Sequence, residues 1–380
     1  MTKLIFWAAV FLVVYPYLGY PLLVFLGGLV RPRGTARQPW QPAVTILIPA
    51  YNEAKCIAHT IQNKLEQNYP RGKLQILVVS DGSTDGTDEI VRGFSAQGVE
   101  IISRCPREGK AAALNEAVKH ARGEILVFSD ANSLFDRDAI RHMVENFSDP
   151  GIGYVTGKLC FVTDGSTLSG SGGDAYMRYE NLLRTLETRF GSIIGVNGGV
   201  DAIRKSLYTD IPATLITDFV LPLHVIRQGY RVVYDPHVVS REVANKQLSS
   251  EFRMRVRVAL RALQGLLYMR QLLNPIRYPA TAFCLASHKL LRYMTFAFLP
   301  VALVANIRLA FLGPFYQAVL AAHLLIYVLA FLGLSAGLPR FLRRVTAVPS
   351  YFLVSNVAFG LAMLKFMRGE SMAIWRPRAG

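Results

Sequence analysis

Residues 44–53 read Val44-Thr-Ile-Leu-Ile48 and then Pro49-Ala-Tyr-Asn-Glu53, and residues 75–87 repeat the pattern as Gln75-Ile-Leu-Val-Val79 and then Ser80-Asp-Gly-Ser-Thr-Asp-Gly-Thr87. Each is a short apolar, β-branched run that stops in polar turn formers, which is how a buried strand ends. Glu100-Ile-Ile-Ser103 and Glu124-Ile-Leu-Val-Phe128 continue the series, with polar segments of helical length between them. This alternation predicts an α/β domain over residues 41–250, a parallel sheet with helices on both faces and a ligand crevice at the carboxyl ends of the strands. The chemistry is therefore expected in whatever follows each strand.

After the second strand, the Gly and Asp content allows a tight turn that leaves Asp81 at the crevice rim and opens the next helix with Asp85 or Thr87 as cap. After the fourth comes Ser129-Asp-Ala-Asn-Ser133, a second strand-end carboxylate at Asp130. Two such carboxylates can hold ribose hydroxyls, a base edge or a divalent metal. No G-x-G-x-x-G follows the first strand and no G-x-x-x-x-G-K-[ST] occurs, so dinucleotide and P-loop readings lose their main support. Cys56, Cys105, Cys160 and Cys284 share no short spacing, which leaves neither a zinc knuckle nor a redox pair to read.

Outward from this domain the chain turns apolar. Of 380 residues 52% are hydrophobic and only 18% charged, with a mean hydropathy of +0.28, so membrane embedding is the first expectation. The formal charge of +16 is sharply segregated: 25 of the 26 acids fall between Glu53 and Glu251, whereas 20 of the 42 Lys and Arg lie outside that stretch. Basic residues set beside long apolar runs suit anionic lipid headgroups rather than nucleic acid. Leu4 to Val30 carries no charge before Arg31, Arg33 and Arg37, and reads as an uncleaved anchor (residues 1–30) that ends in the cytoplasm. Residues 251–292, with Arg253, Arg255, Arg257 and Arg261 among apolar neighbours, suit helices lying in the headgroup plane. Residues 293–367 read as a membrane hairpin, Tyr293–Ile307 and Pro314–Leu338, plus a further run, Val345–Leu364, that either spans or re-enters. Residues 368–380 form a tail.

Taken in order, Pro49-Ala-Tyr-Asn-Glu53, Ser80-Asp-Gly-Ser-Thr-Asp85, Arg107-Glu-Gly-Lys-Ala111 with Asn115, Ser129-Asp-Ala-Asn132, Asn197-Gly-Gly199 and Thr217-Asp-Phe219 resemble the inverting family 2 glycosyltransferases. These are membrane-bound GT-A enzymes related to cellulose, chitin and hyaluronan synthases. The resemblance covers about residues 40–260. It implies a membrane protein of several spans, with its catalytic domain on the cytoplasmic side of a bacterial inner membrane. The activity it implies is transfer of a hexose or N-acetylhexosamine from a UDP-sugar to a glycan acceptor. It places Pro49, Tyr51, Glu53 and Asp81 on the uracil and ribose, Lys110 and Asp130 on the nucleotide, and Asn197, Gly198 and Gly199 beside the acceptor. Asp218 becomes the general base, which a single displacement requires.

Three departures from the family pattern bear on these expectations. Asn132 stands where the D-x-D motif has its second Asp, so Mg²⁺ or Mn²⁺ is expected on Asp130 and Asn132 with one charge fewer; the alternative is that Asn132 caps a helix beginning near Leu134. Thr217 replaces the first acid of the usual acidic pair. Phe252-Arg-Met-Arg-Val-Arg-Val258 lacks the Gln and Trp of the Q-x-x-R-W motif, leaving Arg255 or Arg257 for the diphosphate, with Trp375 as an interfacial anchor or a returning aromatic. Single-sugar transfer to a lipid or polyprenyl-linked acceptor is thus an alternative, and a catalytically inactive membrane scaffold is the non-enzyme reading.

Overall fold

The computed structural model describes residues 1–162, 168–243, 248–335 and 338–370; the tail with Trp375 lies outside them. The chain opens with α1 (Thr2–Val14) and α2 (Tyr20–Val30), joined by a π-helical turn at Tyr15–Gly19. The α/β unit then runs β1 (Val44–Ala50), α3 (Ile57–Leu65), β2 (Leu74–Asp81), α4 (Thr87–Arg92), β3 (Val99–Arg104), α5 (Lys110–His120), β4 (Ile125–Ser129), β5 (Leu134–Phe135) and α6 (Ala139–Glu145). It continues through β6 (Ile152–Val162), α7 (Leu168–Phe190), β7 (Val200–Arg204), α8 (Thr217–Arg227), β8 (Arg231–Val243) and α9 (Leu248–Tyr268). Last come α10 (Pro279–Cys284), α11 (Leu291–Leu309), α12 (Pro314–Leu332) and α13 (Arg340–Met367).

One sheet, in the order β3-β2-β1-β4-β7-β6-β8-β5, organises the unit. Its first four strands are parallel, as the alternation predicts. The second half corrects the all-parallel expectation: β7 runs antiparallel to both β4 and β6, while β6 and β8 pair in parallel. Sequence period reports which face a residue takes but not strand direction, which the crossovers set. Leu47, Leu77, Leu126 and Tyr154 face one apolar layer, and Ile46, Ile48, Ile76, Val78 and Val127 face the other. Period-2 alternation with both faces covered explains why these strands read as continuous apolar runs. Pro49 lies in β1 beyond the end of its ladder with β4, which stops at Leu47, while the register with β2 continues through it to Ala50.

Among the described residues, four helices are long and apolar enough to cross a membrane: Thr2–Val30, Pro279–Leu312, Pro314–Leu332 and Phe341–Met367. The second begins at Pro279, earlier than Tyr293, because α10 and α11 are joined by a π-helical segment, Leu285–Leu290, rather than broken. Phe6 packs with Ala305 and Leu309 at one end of the helix bundle. At the other end Tyr20 donates to Glu187 of α7 at 2.6 Å, and His288 lies 2.7 Å from the same carboxylate. The fourth helix behaves differently. It forms a single helix through Pro349, with no turn of the kind a re-entrant segment needs. It packs on the α/β unit, with Tyr351 on Tyr176 and Arg255, Ser355 accepting from Arg255, Ala358 and Ala362 against Leu260 and Leu263, and the backbone oxygen of Glu370 accepting from Gln264, and it also meets the apolar helices, with Phe352 on Tyr17 and Phe359 on Tyr293. Its first turns reach back to the end of α12, where Ser350 donates to the Ala330 carbonyl.

Gly123 marks how tightly the sheet is locked, since a Cβ there would lie 2.3 Å from the Thr45 nitrogen and 2.6 Å from the Val44 carbonyl carbon. Thr45 Oγ1 accepts from the Gly123 amide and donates to buried Gln75. Gly123→Ala should therefore destabilise the unit by about 1–3 kcal/mol, read as a lowered Tm of the detergent-extracted protein. An unchanged Tm would mean that this β1–β4 entry is looser than described.

Candidate active site

Every strand-end loop singled out by sequence lies on one rim of the sheet. The β1 loop and the β2 loop are zipped together: the Asn52 amide donates to Ser83 Oγ, Thr84 N–H to Asn52 Oδ1, Glu53 N–H to Thr87 Oγ1 and Ala54 N–H to Asp85 Oδ2. The cap position of α4 is taken by Gly86 at φ 92°, not by Asp85 or Thr87 as expected; Asp85, one residue earlier, accepts from the Thr87 amide at 3.1 Å, and burial, which opposes its charge, is outweighed by four surrounding donors that hold its carboxyl below the usual range. Asn52 tolerates its left-handed φ of 54° because its side chain bonds the facing turn.

Asp81 ends β2 nearly buried, its carboxylate accepting from the amides of Glu108 (3.1 Å) and Gly109 (2.6 Å) and from Arg104 (3.4 Å). Its visible work is to fix the turn whose last residue, Gly109 at φ 100°, launches α5. Lys110, the first residue of that helix, then reaches Asp130 at the end of β4, with Nζ 2.5 Å from Oδ1.

Asp130 and Asp218 converge. Both overlie the Asn197-Gly198-Gly199 turn, where a Cβ on Gly198 would meet Asp218 Oδ2 at 2.0 Å and one on Gly199 would meet Asp130 Cγ at 3.0 Å. Gly199 also has φ 79°, so glycine is required there twice over. Asn197 is held from below by Thr156 Oγ1 and the Gly157 carbonyl. Asp218 sits in the first turn of α8, which begins at Thr217 rather than Phe219; Ile216 occupies the cap position, and Thr217 Oγ1 donates to Asp218 Oδ1 at 2.9 Å. The carboxylate thus faces the turn and does not cap its helix. Burial opposes charge on Lys110, but the carboxylates of Asp130 and then Asp218 outweigh it and hold the ammonium above its ordinary range.

Asn132 makes no side-chain hydrogen bond among the described residues, and the helix it could have capped does not exist: Leu134–Phe135 is a short strand paired with β8. Among the same residues no three His, Cys, Asp or Glu side chains form a metal cluster. The arginines of α9 divide. Arg255 donates to Ser355 Oγ (2.9 Å) and lies over the Tyr351 ring on α13. Residues two apart on a helix lie about 200° around its axis, so only one can face the crevice. Arg257 lies near Arg261, whose guanidinium feels Asp218 and donates to the carbonyls of Ala213, Thr214 and Leu215 ahead of it.

Three groups escaped the sequence reading. Asp201 on β7 is buried and accepts from Tyr154; burial first, then the charge of Asp218, pushes its carboxyl well above the usual range, and one of its oxygens has no partner. The available signal was an acid inside the apolar strand Val200-Asp-Ala-Ile203. Arg261 stood one turn beyond Arg257 on the same face. Arg107, in the loop before α5, stacks on Tyr51 with its guanidinium carbon 3.4 Å from the ring centre.

Comparison with known proteins bears on the fold that carries these residues. The family model described as Glycosyl transferase family 2 matches residues 45–208. The chain is 29% identical over 222 residues to poly-beta-1,6-N-acetyl-D-glucosamine synthase of Staphylococcus aureus, covering 57% of this chain and 53% of the relative, and 27% identical over 224 residues to the Staphylococcus epidermidis protein. It therefore spans about half the length of the curated relatives it matches. A mannosyltransferase from Pyrobaculum calidifontis, solved in complex with GDP-Man and Mn2+, superposes with a TM-score of 0.71 at 27% identity, covering 97% of this chain and 100% of that one. The chain thus carries a family 2 glycosyltransferase domain on a GT-A fold.

Proposed function

We propose that the protein is a membrane-bound inverting glycosyltransferase that moves a hexosyl or N-acetylhexosaminyl group from a nucleoside diphosphate sugar to a glycan acceptor, as in polysaccharide synthesis. The observation that carries this reading is the meeting of Asp218, Asp130 and Lys110 over the Gly198-Gly199 turn. Asp218 takes the proton of the acceptor hydroxyl as that oxygen attacks the anomeric carbon, and the bond from that carbon to the diphosphate breaks on the opposite face. Lys110 and Arg257 hold the charge that develops on the departing diphosphate. Pro49, Tyr51, Glu53 and Asp81 line the base and ribose end, and Asn197, Gly198 and Gly199 bring backbone against the acceptor. Asp201 lies buried near the base, and burial first and then the charge of Asp218 push its carboxyl well above the usual range.

Asp130 and Asn132 offer only oxygen donors, which suit Mg²⁺ or Mn²⁺. Because Lys110 already engages Asp130 Oδ1, a cation held here would take most of its ligands from the diphosphate. Bound there, it would neutralise charge on the leaving group. The Mn2+ in the mannosyltransferase complex supports this.

The family resemblance favours UDP as the nucleotide; the full-length likeness to a mannosyltransferase bound to GDP-Man supports a GDP-hexose as the second reading. Single-sugar transfer to a lipid-linked acceptor is the second reading of the acceptor, favoured by the missing Trp in residues 252–258.

For the membrane, we read Thr2–Val30, Pro279–Leu312 and Pro314–Leu332 as spans and α13 as lying in the headgroup plane. Its exposed stripe of Phe341, Val345, Val348, Val357, Leu361 and Leu364 faces lipid, while the opposite face packs on α9.

Asp218→Asn should lower transfer by about 10²–10⁴-fold with an unchanged Tm, measured as nucleotide release against a panel of UDP- and GDP-sugars; wild-type turnover would remove the base assignment. EDTA should abolish turnover and added Mn²⁺ restore it. In a background without native cysteines, Arg368→Cys should react with an impermeant maleimide from the same membrane side as Arg92→Cys. Labelling from the opposite side would make α13 a span.

A further inference from the structure

Resting on the reading of the crevice as a nucleotide-sugar site, the geometry points to Arg107 as the residue that selects the nucleobase, and to guanine as the base it selects. Nε and Nη2 of Arg107 form one edge of the planar guanidinium. Both are closed off from water, and neither has an acceptor. Two carboxylates stand close by in the chain, yet both are engaged elsewhere: Asp81 takes the amides of Glu108 and Gly109, and Glu108 pairs with Arg104. A desolvated fork with no acceptor is costly to keep, and a ligand bringing two adjacent acceptors would relieve that cost.

The position fits the base end of the donor. Arg107 packs against Gly82, directly after the Asp81 rim, since a Cβ on Gly82 would lie 3.3 Å from the Arg107 Cβ. The Lys110–Asp130 pair that meets the diphosphate lies at the end of β4, two strands away across β1, about 10 Å at ordinary strand spacing. A nucleoside running from that pair along the strand ends reaches Gly82 and Arg107. Tyr51, whose ring covers the guanidinium, makes no hydrogen bond among the described residues and can swing aside to admit the base.

Base chemistry then decides. Guanine presents O6 and N7 side by side, two acceptors matched to an arginine fork, whereas adenine sets a donor beside N7. The two carbonyls of uracil are separated by its ring N–H, so uracil cannot offer the edge two adjacent acceptor atoms, one for each donor.

The test is equilibrium binding of GDP, UDP and 7-deaza-GDP to the full-length protein in detergent with Mn²⁺, for wild type and for Arg107→Lys and Arg107→Gln. Wild type should prefer GDP over UDP by about tenfold or more, and 7-deaza-GDP, lacking the N7 acceptor, should lose most of that gain. Arg107→Lys keeps the charge but not the fork, so GDP should fall to the level of UDP while UDP binding stays within about twofold and Tm is unchanged. Arg107→Gln should behave alike. Equal or tighter binding of UDP by the wild type overturns the inference and leaves the glycosyltransferase reading standing. An equal loss of GDP and UDP in Arg107→Lys also overturns it, because the fork would then serve the diphosphate. Failure of the wild type to bind either nucleotide overturns this inference and the nucleotide-sugar reading together.

Discussion

The site depends on one electrostatic constraint: three carboxylates from distant parts of the chain, Asp130, Asp201 and Asp218, share the field of a single ammonium, Lys110. Like charges brought this close are tolerated only if some are neutralised or protonated. Here Lys110 pairs directly with Asp130, and burial first and then the charge of Asp218 push the Asp201 carboxyl well above its usual range. The rest of the rim serves that arrangement. Asp81 spends its carboxylate on the turn that launches Lys110, two glycines remove every side-chain atom that would separate Asp130 from Asp218, and Arg261 ties down the carbonyls just ahead of Asp218.

A second constraint joins this unit to the apolar helices. Glu180 and Glu187 of α7 are buried, and their partners come from the helix that follows Pro279: Arg292 at 2.5 Å from Glu180 and His288 at 2.7 Å from Glu187. Removing one member of such a pair strands a buried charge, at a cost of about 3–5 kcal/mol. Glu187 also accepts from Tyr20 and from the Ile194 amide, three residues before Asn197. The acceptor-side turn is thus referenced to the apolar helices through a few short bonds, which fix the register of the crevice relative to those helices.

The strands of the α/β unit were legible because each is covered on both faces, and so each is a nearly unbroken apolar run that ends where its turn residues begin. Asp130 was legible as a strand-end residue, whereas Lys110 and Asp218 were placed by the family resemblance. Asp201 was not, because an acid inside a strand announces neither its face nor its neighbours. Arg255 and Arg257 looked equivalent in sequence and separated only when the helix axis was fixed, one turning to α13 and the other toward Arg261. The hydropathy of Val345–Leu364 matched that of a span, yet the helix packs on α9 through Ala358 and Ala362 and a bond from Arg255 to Ser355.

By itself, then, the sequence determined what local chemistry dictates: the alternating elements, the punctuation of the strand ends, the segregation of acids from the apolar flanks and the presence of a glycosyltransferase motif series. Those properties follow from propensity and burial pattern over a few residues at a time. The reversal of β7, the packing of α13 along α9, the retreat of Asp81 into its own turn and the orphaned edge of Arg107 were decided only by tertiary structure. Each of these depends on which surfaces meet across hundreds of residues, and on which donors find their acceptors already taken.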